Sequence, residues 1–389
     1  MRELKTLLFL GLLLCAGLVQ AGEKRTFYVG TLSNATNDAD FPPSRGVYRV
    51  TMDMDADSAE PAQVTLAFEC LGLSFLAKHP ALKDVYYGVD GKAIYALKKQ
   101  VDGSLAELNQ HASLGQGACH VSVHPSGKFA FVSNYSDGHA VVFELAEDGS
   151  LTGKTWVFAQ QGTGPNAARQ RGPHAHFMQA DPAGKYAICC DLGADSIFSY
   201  QYDPSVPAEE TWKPNPNRPF ATVSSGAGAR HAVFAPNGHF VYVVNELSCT
   251  VEAFAYDAEL GTMTNVQTIA SLPLGYHGVN KAAAIAIHPS GKFLYVSNRG
   301  ADLMTVFAVD DTPVNCAGGE AAVVLQPIQY IASGGEFPRF AGLSEDGTLL
   351  FVCNKKTHTL AVFRVDAQTG KLTNTGKTAR IAWCCAVEE

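Results

Sequence analysis

A turn-and-strand signature recurs five times from residue 124 onward, and it restricts the fold more than any other property of the chain. The first two copies are His124-Pro-Ser-Gly-Lys-Phe-Ala-Phe-Val-Ser-Asn134 and Asp181-Pro-Ala-Gly-Lys-Tyr-Ala-Ile-Cys-Cys-Asp191. Ala235-Pro-Asn-Gly-His-Phe-Val-Tyr-Val-Val-Asn245 and His288-Pro-Ser-Gly-Lys-Phe-Leu-Tyr-Val-Ser-Asn298 follow. Ser344-Glu-Asp-Gly-Thr-Leu-Leu-Phe-Val-Cys-Asn354 lacks the proline, and a weaker copy runs from His79-Pro80 through Val85-Tyr86-Tyr87 to Asp90. Pro presets φ at the corner, Gly accepts φ > 0 two residues later, and the β-branched and aromatic run that follows is a strand. The anchors at 79, 124, 181, 235, 288 and 344 are 45, 57, 54, 53 and 56 residues apart. That period is that of a four-stranded propeller blade rather than of a helical solenoid.

Each repeat supplies four strands; in the copy opening at His231 they fall at 231–234, 239–244, 250–256 and 266–269. Six blades open near Ser74, His120, Ala175, His231, Ala283 and Phe340. Three N-terminal strands (26–30, 46–51 and 63–68) lack a fourth partner, which residues 380–385 can supply. The expected fold is therefore all-β: a seven-bladed β-propeller of four-stranded blades, its ring closed by N- and C-terminal strands sharing one blade. Such closure leaves no sheet edge open at the junction. Residues 203–219 and 310–320 read as surface loops, and helical periodicity is not persuasive anywhere.

Residues 1–21 read as a signal peptide: Arg2 and Lys5 are the basic start, Leu7 to Leu18 the apolar run, and Val19-Gln20-Ala21 the cleavage site. The run is too short to span a membrane, and no later stretch is long and apolar enough. The expectation is an exported protein, periplasmic or secreted, whose propeller occupies residues 22–389. Cleavage removes two positive charges and one negative, which moves the formal net charge from -8 to -9. With no run of Lys/Arg to offset it, that balance weighs against nucleic acid or an anionic membrane as partner. Nine of the ten cysteines remain, without CxxC or metal spacing, and Cys189, Cys190 and Cys353 sit inside strands as small apolar side chains. Asn34 and Asn134 each head a glycosylation sequon.

The signature also works as a ruler. The first strand of a blade runs to the Pro-x-Gly turn and the second returns, so residues before the first and after the second share one rim. Before first strands come Gly117-Ala-Cys-His120, Pro173-His-Ala-His176, Ala229-Arg-His231 and Pro338-Arg339; after second strands come Asn134, Asp191, Asn245-Glu246, Asn298-Arg299 and Asn354-Lys355. Convergent polar groups at a propeller mouth are the default site. On a regular strand His174 and His176 would face one way, and with Glu246 or Asp191 they could hold a divalent metal. Two histidines without a third ligand at fixed spacing are a weak metal signal, and neither metal nor cofactor is expected. Each histidine also has a structural reading, a hydrogen bond to the next blade. Glu246 could simply neutralise Arg230 or Arg299. Three arginines (Arg230, Arg299 and Arg339) converging with one Glu fit an anion or oxyanion site. The repeated terminal Asn reads as a turn former bonding its own backbone. No Gly-x-Ser-x-Gly elbow or phosphate-cradling loop is present.

Taken together, Tyr28-Val-Gly-Thr31, Arg169-Gln-Arg-Gly-Pro-His-Ala-His176, Asp191-Leu-Gly-Ala-Asp195, Ala229-Arg-His231, Asn245-Glu-Leu-Ser248, Ser297-Asn-Arg-Gly300 and Phe337-Pro-Arg339 resemble the seven-bladed lactonase family. That family holds the propeller-type 6-phosphogluconolactonases and the carboxymuconate-lactonizing enzymes, and the resemblance spans essentially the whole mature chain. It implies a catalytic set of His176, Arg230, Glu246 and Arg299. Arg169, His174, Arg339, Asp191 and His231 stand nearby to bind substrate, a small-molecule lactone or sugar acid. One position departs: members often carry Glu in an Ala-Glu-Ile run where this chain has Ala283-Ala284-Ile285. The implied activity is cofactor-free hydrolysis of a sugar lactone, unphosphorylated given the export signal. The alternatives are a non-catalytic propeller that binds a ligand or protein, and a muconate cycloisomerase-like lyase.

Overall fold

The computed structural model describes residues 24–32, 43–55, 60–310 and 324–389. The expected signal peptide, the Asn34 sequon and nearly all of the 310–320 loop lie outside the described residues. Among the described residues every regular element is a strand, and the strands form seven antiparallel sheets, the blades of one ring. The blade that opens at Ala229 is representative: Ala229–Phe234, Phe240–Asn245, Thr250–Asp257 and Thr262–Ala270 pair in chain order. In the preceding blade the fourth strand is split. The segment expected as a loop at 203–219 contributes Trp212–Pro214, which pairs with Ser196–Tyr202 beside Phe220–Thr222. Pieces three residues long carry too little alternation to show in the sequence.

The ring closes as expected, with a shift of register. The seventh sheet runs Cys384–Glu388, Lys24–Thr31, Gly46–Asp53, Gln63–Glu69. The closing strand thus begins at Cys384, and Arg380 instead ends the outer strand Leu372–Arg380 of the sixth blade. Trp383, at φ 56, turns the chain between the two. Seven hydrophobic clusters fill the seven spaces between neighbouring sheets. Phe27, Val29, Phe351, Cys353 and Cys384 belong to the cluster that joins the sixth blade to the shared one.

The signature residues tie blade to blade. Gly127, Gly184, Gly238, Gly291 and Gly347 all have φ between 68 and 75, the left-handed region glycine adopts freely. A carbon added at Gly127 or Gly184 would also lie 2.5 or 2.7 Å from the ring of His79 or His124. Those rings reach across from the preceding blade to the turn carbonyls, Nε2 of His79 to Gly127 O at 3.0 Å and Nε2 of His124 to Gly184 O at 2.9 Å. His124→Ala is accordingly expected to cost about 1–3 kcal/mol, because a buried carbonyl loses its donor. Thermal denaturation checks this, and an unchanged midpoint would contradict the inter-blade tie.

The terminal Asn residues do more than shape turns. Asn134 Nδ2 donates to Ser113 O at 3.1 Å, Asn298 to Ser271 O at 3.2 Å and Asn354 to Ser333 O at 3.0 Å. Each acceptor lies in the link arriving from the blade before, so these fully buried amides fasten successive blades. Asn134 also donates to the nearby His139 O at 3.3 Å, the kind of local bond the sequence suggested. Burial removes the Asn134 sequon from the surface.

Candidate active site

The inner strands break their ladders at one place. Ala175 pairs with Asp191 but Phe177 with Cys190, so His176 is the extra residue of a β-bulge. Arg230 is skipped in the same way between Ala229 and His231, Cys119 between Ala118 and His120, and Arg339 between Pro338 and Phe340. Cys385 is skipped in the closing strand, and Ala283 and Ala284 in the fifth blade. A bulge re-aims the unpaired side chain away from its ladder direction. The partners across the break (Asn134, Asp191, Asn245, Asn298 and Asn354) are the final residues of the signature, which confirms the shared rim.

Glu246, the residue after one of these asparagines, is the hub. Its Oε1 accepts from Arg169 Nη2 at 2.8 Å, and its Oε2 from Arg230 Nε at 3.1 Å and Arg299 Nη2 at 2.8 Å. Arg230 and Arg299 are nearly sealed from solvent, at 2% and 5% exposed. Arg230 Nη1 also donates to Ala283 O at 2.5 Å and Arg299 Nη2 to Ala282 O at 2.8 Å. Against the cost of burial, Arg299, Arg230 and the other cations hold the Glu246 carboxyl well below the usual carboxylate range. Arg169 also donates to the Tyr135 hydroxyl at 3.0 Å.

His174 and His176 do not act as a pair. His174 stacks on Tyr135, with centroids 4.5 Å apart and planes 13° apart, and its Nδ1 donates to Tyr135 O at 2.7 Å. His176 is buried beside Cys119, with Nδ1 3.9 Å from Sγ, and packs against His231 at 5.1 Å between centroids. The bulge at His176 breaks the strand alternation, and both rings meet Tyr135, that of His176 edge-on at 5.4 Å between centroids. Asp191 is fully buried: its Oδ1 accepts the backbone N–H groups of His174 at 2.8 Å and Ala194 at 2.9 Å, and its Oδ2 has no hydrogen-bond partner among the described residues. His231 lies with His120, Phe75 and Phe177 in the channel wall. Ala284, at the departing position, is buried in a hydrophobic cluster and its N–H donates to Ser297 Oγ at 3.0 Å. Among the described residues no group of three or more His, Cys, Asp and Glu side chains is arranged to hold a metal ion.

Sequence reasoning placed Lys355 on the rim without a role, and it lies 5.0 Å over the Trp383 ring; Tyr135 it missed as a site residue. Both stand directly after a terminal Asn, in the same column as Glu246 and Arg299, so the aligned repeats held the signal. A cleft of about 620 Å³ is remote from this chemistry; it lies by the Ser126-Gly127 turn and is lined by Phe129, Trp156 and Tyr202.

Burial governs the histidines. It pushes His120 down to about 3, drives His176 and His231 well below the usual imidazole range, and lowers His124 and His288. The unfolded rings would protonate as pH falls through about 6.5, so the unfolded chain binds more protons and stability falls below that pH. Asp191 and Glu388 oppose this, since burial raises them to about 6 and about 7 and their protonation on acidification favours the folded state. Five rings against two carboxyls predict a lower urea midpoint at about pH 5 than at about pH 7.5. Equal midpoints would argue that the rings are not buried neutral.

The profile described as "Lactonase, 7-bladed beta-propeller" matches residues 26–388. The chain belongs to this lactonase family. The 6-phosphogluconolactonase of Bacillus subtilis (strain 168) is 30% identical over 368 residues, which cover 93% of this chain and 98% of that protein. The periplasmic gluconolactonase of Pseudomonas aeruginosa shares the fold with a TM-score of 0.80 at 26% identity, covering 94% of this chain and 99% of that one. A Lactobacillus plantarum protein of solved structure gives a TM-score of 0.80 at 27% identity, with the same coverage. Membership makes this lactonase-type propeller a hydrolase by family, which the fold alone would not, since propellers host many functions.

Proposed function

We propose that this lactonase-family protein hydrolyses an unphosphorylated sugar lactone outside the cytoplasm, with His176 as general base and the arginines around Glu246 as electrophilic groups. The observation that carries the reading is a neutral, buried imidazole on the same rim as three guanidiniums that share one carboxylate. Glu246 is the poorer candidate base, because both its oxygens accept from arginine. His176 takes a proton from water as the oxygen attacks the lactone carbonyl. Guanidinium N–H groups of Arg230 and Arg299 not committed to Glu246 or backbone carbonyls face the tetrahedral oxyanion. Each such donor is worth on the order of 3 kcal/mol. Collapse breaks the ring C–O bond, and the imidazolium returns its proton to the departing alkoxide, giving the open hydroxy acid. Arg169 and Arg339 hold the polar periphery of the substrate.

The signal-like residues 1–21 and the periplasmic gluconolactonase among the similar folds support the export and the unphosphorylated substrate. A panel of aldonolactones with and without phosphate, followed by titration of the acid released, tests the reading. Faster turnover of the neutral lactones is expected. Turnover confined to phosphorylated lactones would overturn the substrate class, and acceleration of none would overturn the activity. Arg169→Ala, at a partly exposed arginine, is expected to raise KM about tenfold or more while leaving the fold intact.

A further inference from the structure

Between the bulge residues of the inner strands lies a small cavity walled by the polar side chains Ser74, Cys119, Arg230, His231, Arg339 and Cys385 and by two phenylalanines. It has room for a single water-sized species, which excludes a sugar lactone. Its polar lining is dominated by unspent donors. Arg230 has five N–H groups, of which one goes to Glu246 and one to Ala283 O. The Arg339 guanidinium makes no hydrogen bond or ion pair among the described residues, although it stands close enough to act electrostatically on Cys119, His176 and His231. Nε2 of His231, a residue 7% exposed, is buried without a partner.

The charges do not balance at this place. The carboxylate of Glu246 is shared among Arg169, Arg230 and Arg299, and Asp191 does not line the cavity. The two thiols add no negative charge, since burial pushes both up to about 12. Cationic donors around a space of atomic size, with no anionic side chain lining it, call for a small counter-ion. We infer that this cavity is a binding site for one halide-sized inorganic anion, held by Arg230, Arg339 and the Nε2–H of His231, next to the lactone site and sharing Arg230 and Arg339 with it. The anion supplies the negative charge that the lining lacks and locks the facing inner strands of the fourth and sixth blades together.

The test reads stability, so it stands or falls independently of lactone hydrolysis. Thermal midpoints are measured in rising sodium chloride, with ionic strength held constant by methanesulfonate, which is too large for the cavity. A ligand bound only by the folded state stabilises it until the site saturates. The expected result is a saturating rise of roughly 2 °C or more in the wild type, absent in Arg339→Gln. Crystals soaked in bromide should show an anomalous peak within hydrogen-bond reach of Arg230 and Arg339. A chloride-independent midpoint, or no bromide in the cavity, would overturn the proposal and leave a water there. If Arg339→Gln does not fold, the anomalous map of the wild type decides.

Discussion

His176→Ala is expected to lower lactone turnover by about 10²–10⁴-fold, the usual worth of a positioned general base, while the protein still folds. The side chain is the unpaired residue of a bulge, so its loss removes no ladder hydrogen bond and leaves a small void beside Cys119 and His231. The effect should lie in kcat more than in KM, because in the proposed mechanism the ring acts on the attacking water and holds no part of the substrate at rest. Near-ultraviolet circular dichroism and the thermal midpoint establish that the variant is native. Activity within about tenfold of wild type in a folded variant would remove His176 from the mechanism. Arg299→Ala, at another member of the implied catalytic set, is a poorer test. Arg299 is buried and donates to both Glu246 and Ala282 O, so truncation disturbs packing and charge at once.

Ending the chain at Trp383 is expected to abolish cooperative folding. The lost strand, Cys384–Glu388, is the innermost of the shared blade, and Cys384, Cys385, Ala386 and Val387 are all buried. Its removal uncovers one edge of Lys24–Thr31 and opens the spaces on both sides of the seventh sheet. Burial of an apolar side chain of the size of valine contributes about 1.5–3 kcal/mol, and the whole margin of a folded protein is about 5–15 kcal/mol. The truncated protein should therefore be insoluble, or lack a sigmoidal urea transition. A soluble monomer with the wild-type midpoint would show that the ring does not depend on its last strand.

The fold was legible because its information is repeated. Five copies of one hairpin gave the strand positions, the turn glycines and the rim on which Glu246, Arg230 and Arg299 meet. The details that escaped are those that arise only when strands are laid side by side. Nothing in the local sequence marks His176 as skipped by its ladder while Phe177 is paired, so the opposite fates of His174 and His176 could not be read. The same holds for Asn134, Asn298 and Asn354, whose amides find carbonyls in the link before their own blade. Asp191 looked like a site carboxylate by position and is instead spent on two backbone N–H groups. Tyr135 was visible in principle, as the neighbour of a terminal Asn in the column that holds Glu246, Arg299 and Lys355.

The bulges bear on how such a protein changes over generations. A residue skipped by the ladder carries no obligation to pair, to branch at Cβ or to match a neighbour across the strand. At these positions the chain bears Cys119, His176, Arg230, Ala283, Ala284, Arg339 and Cys385, seven side chains of four chemical kinds, on strands that are otherwise alike. One codon change at such a position rewrites what meets a ligand and leaves every sheet paired as before. Inheritance of the ring and divergence of its chemistry are thus assigned to different residues, and a lineage can explore new substrates without first losing its fold.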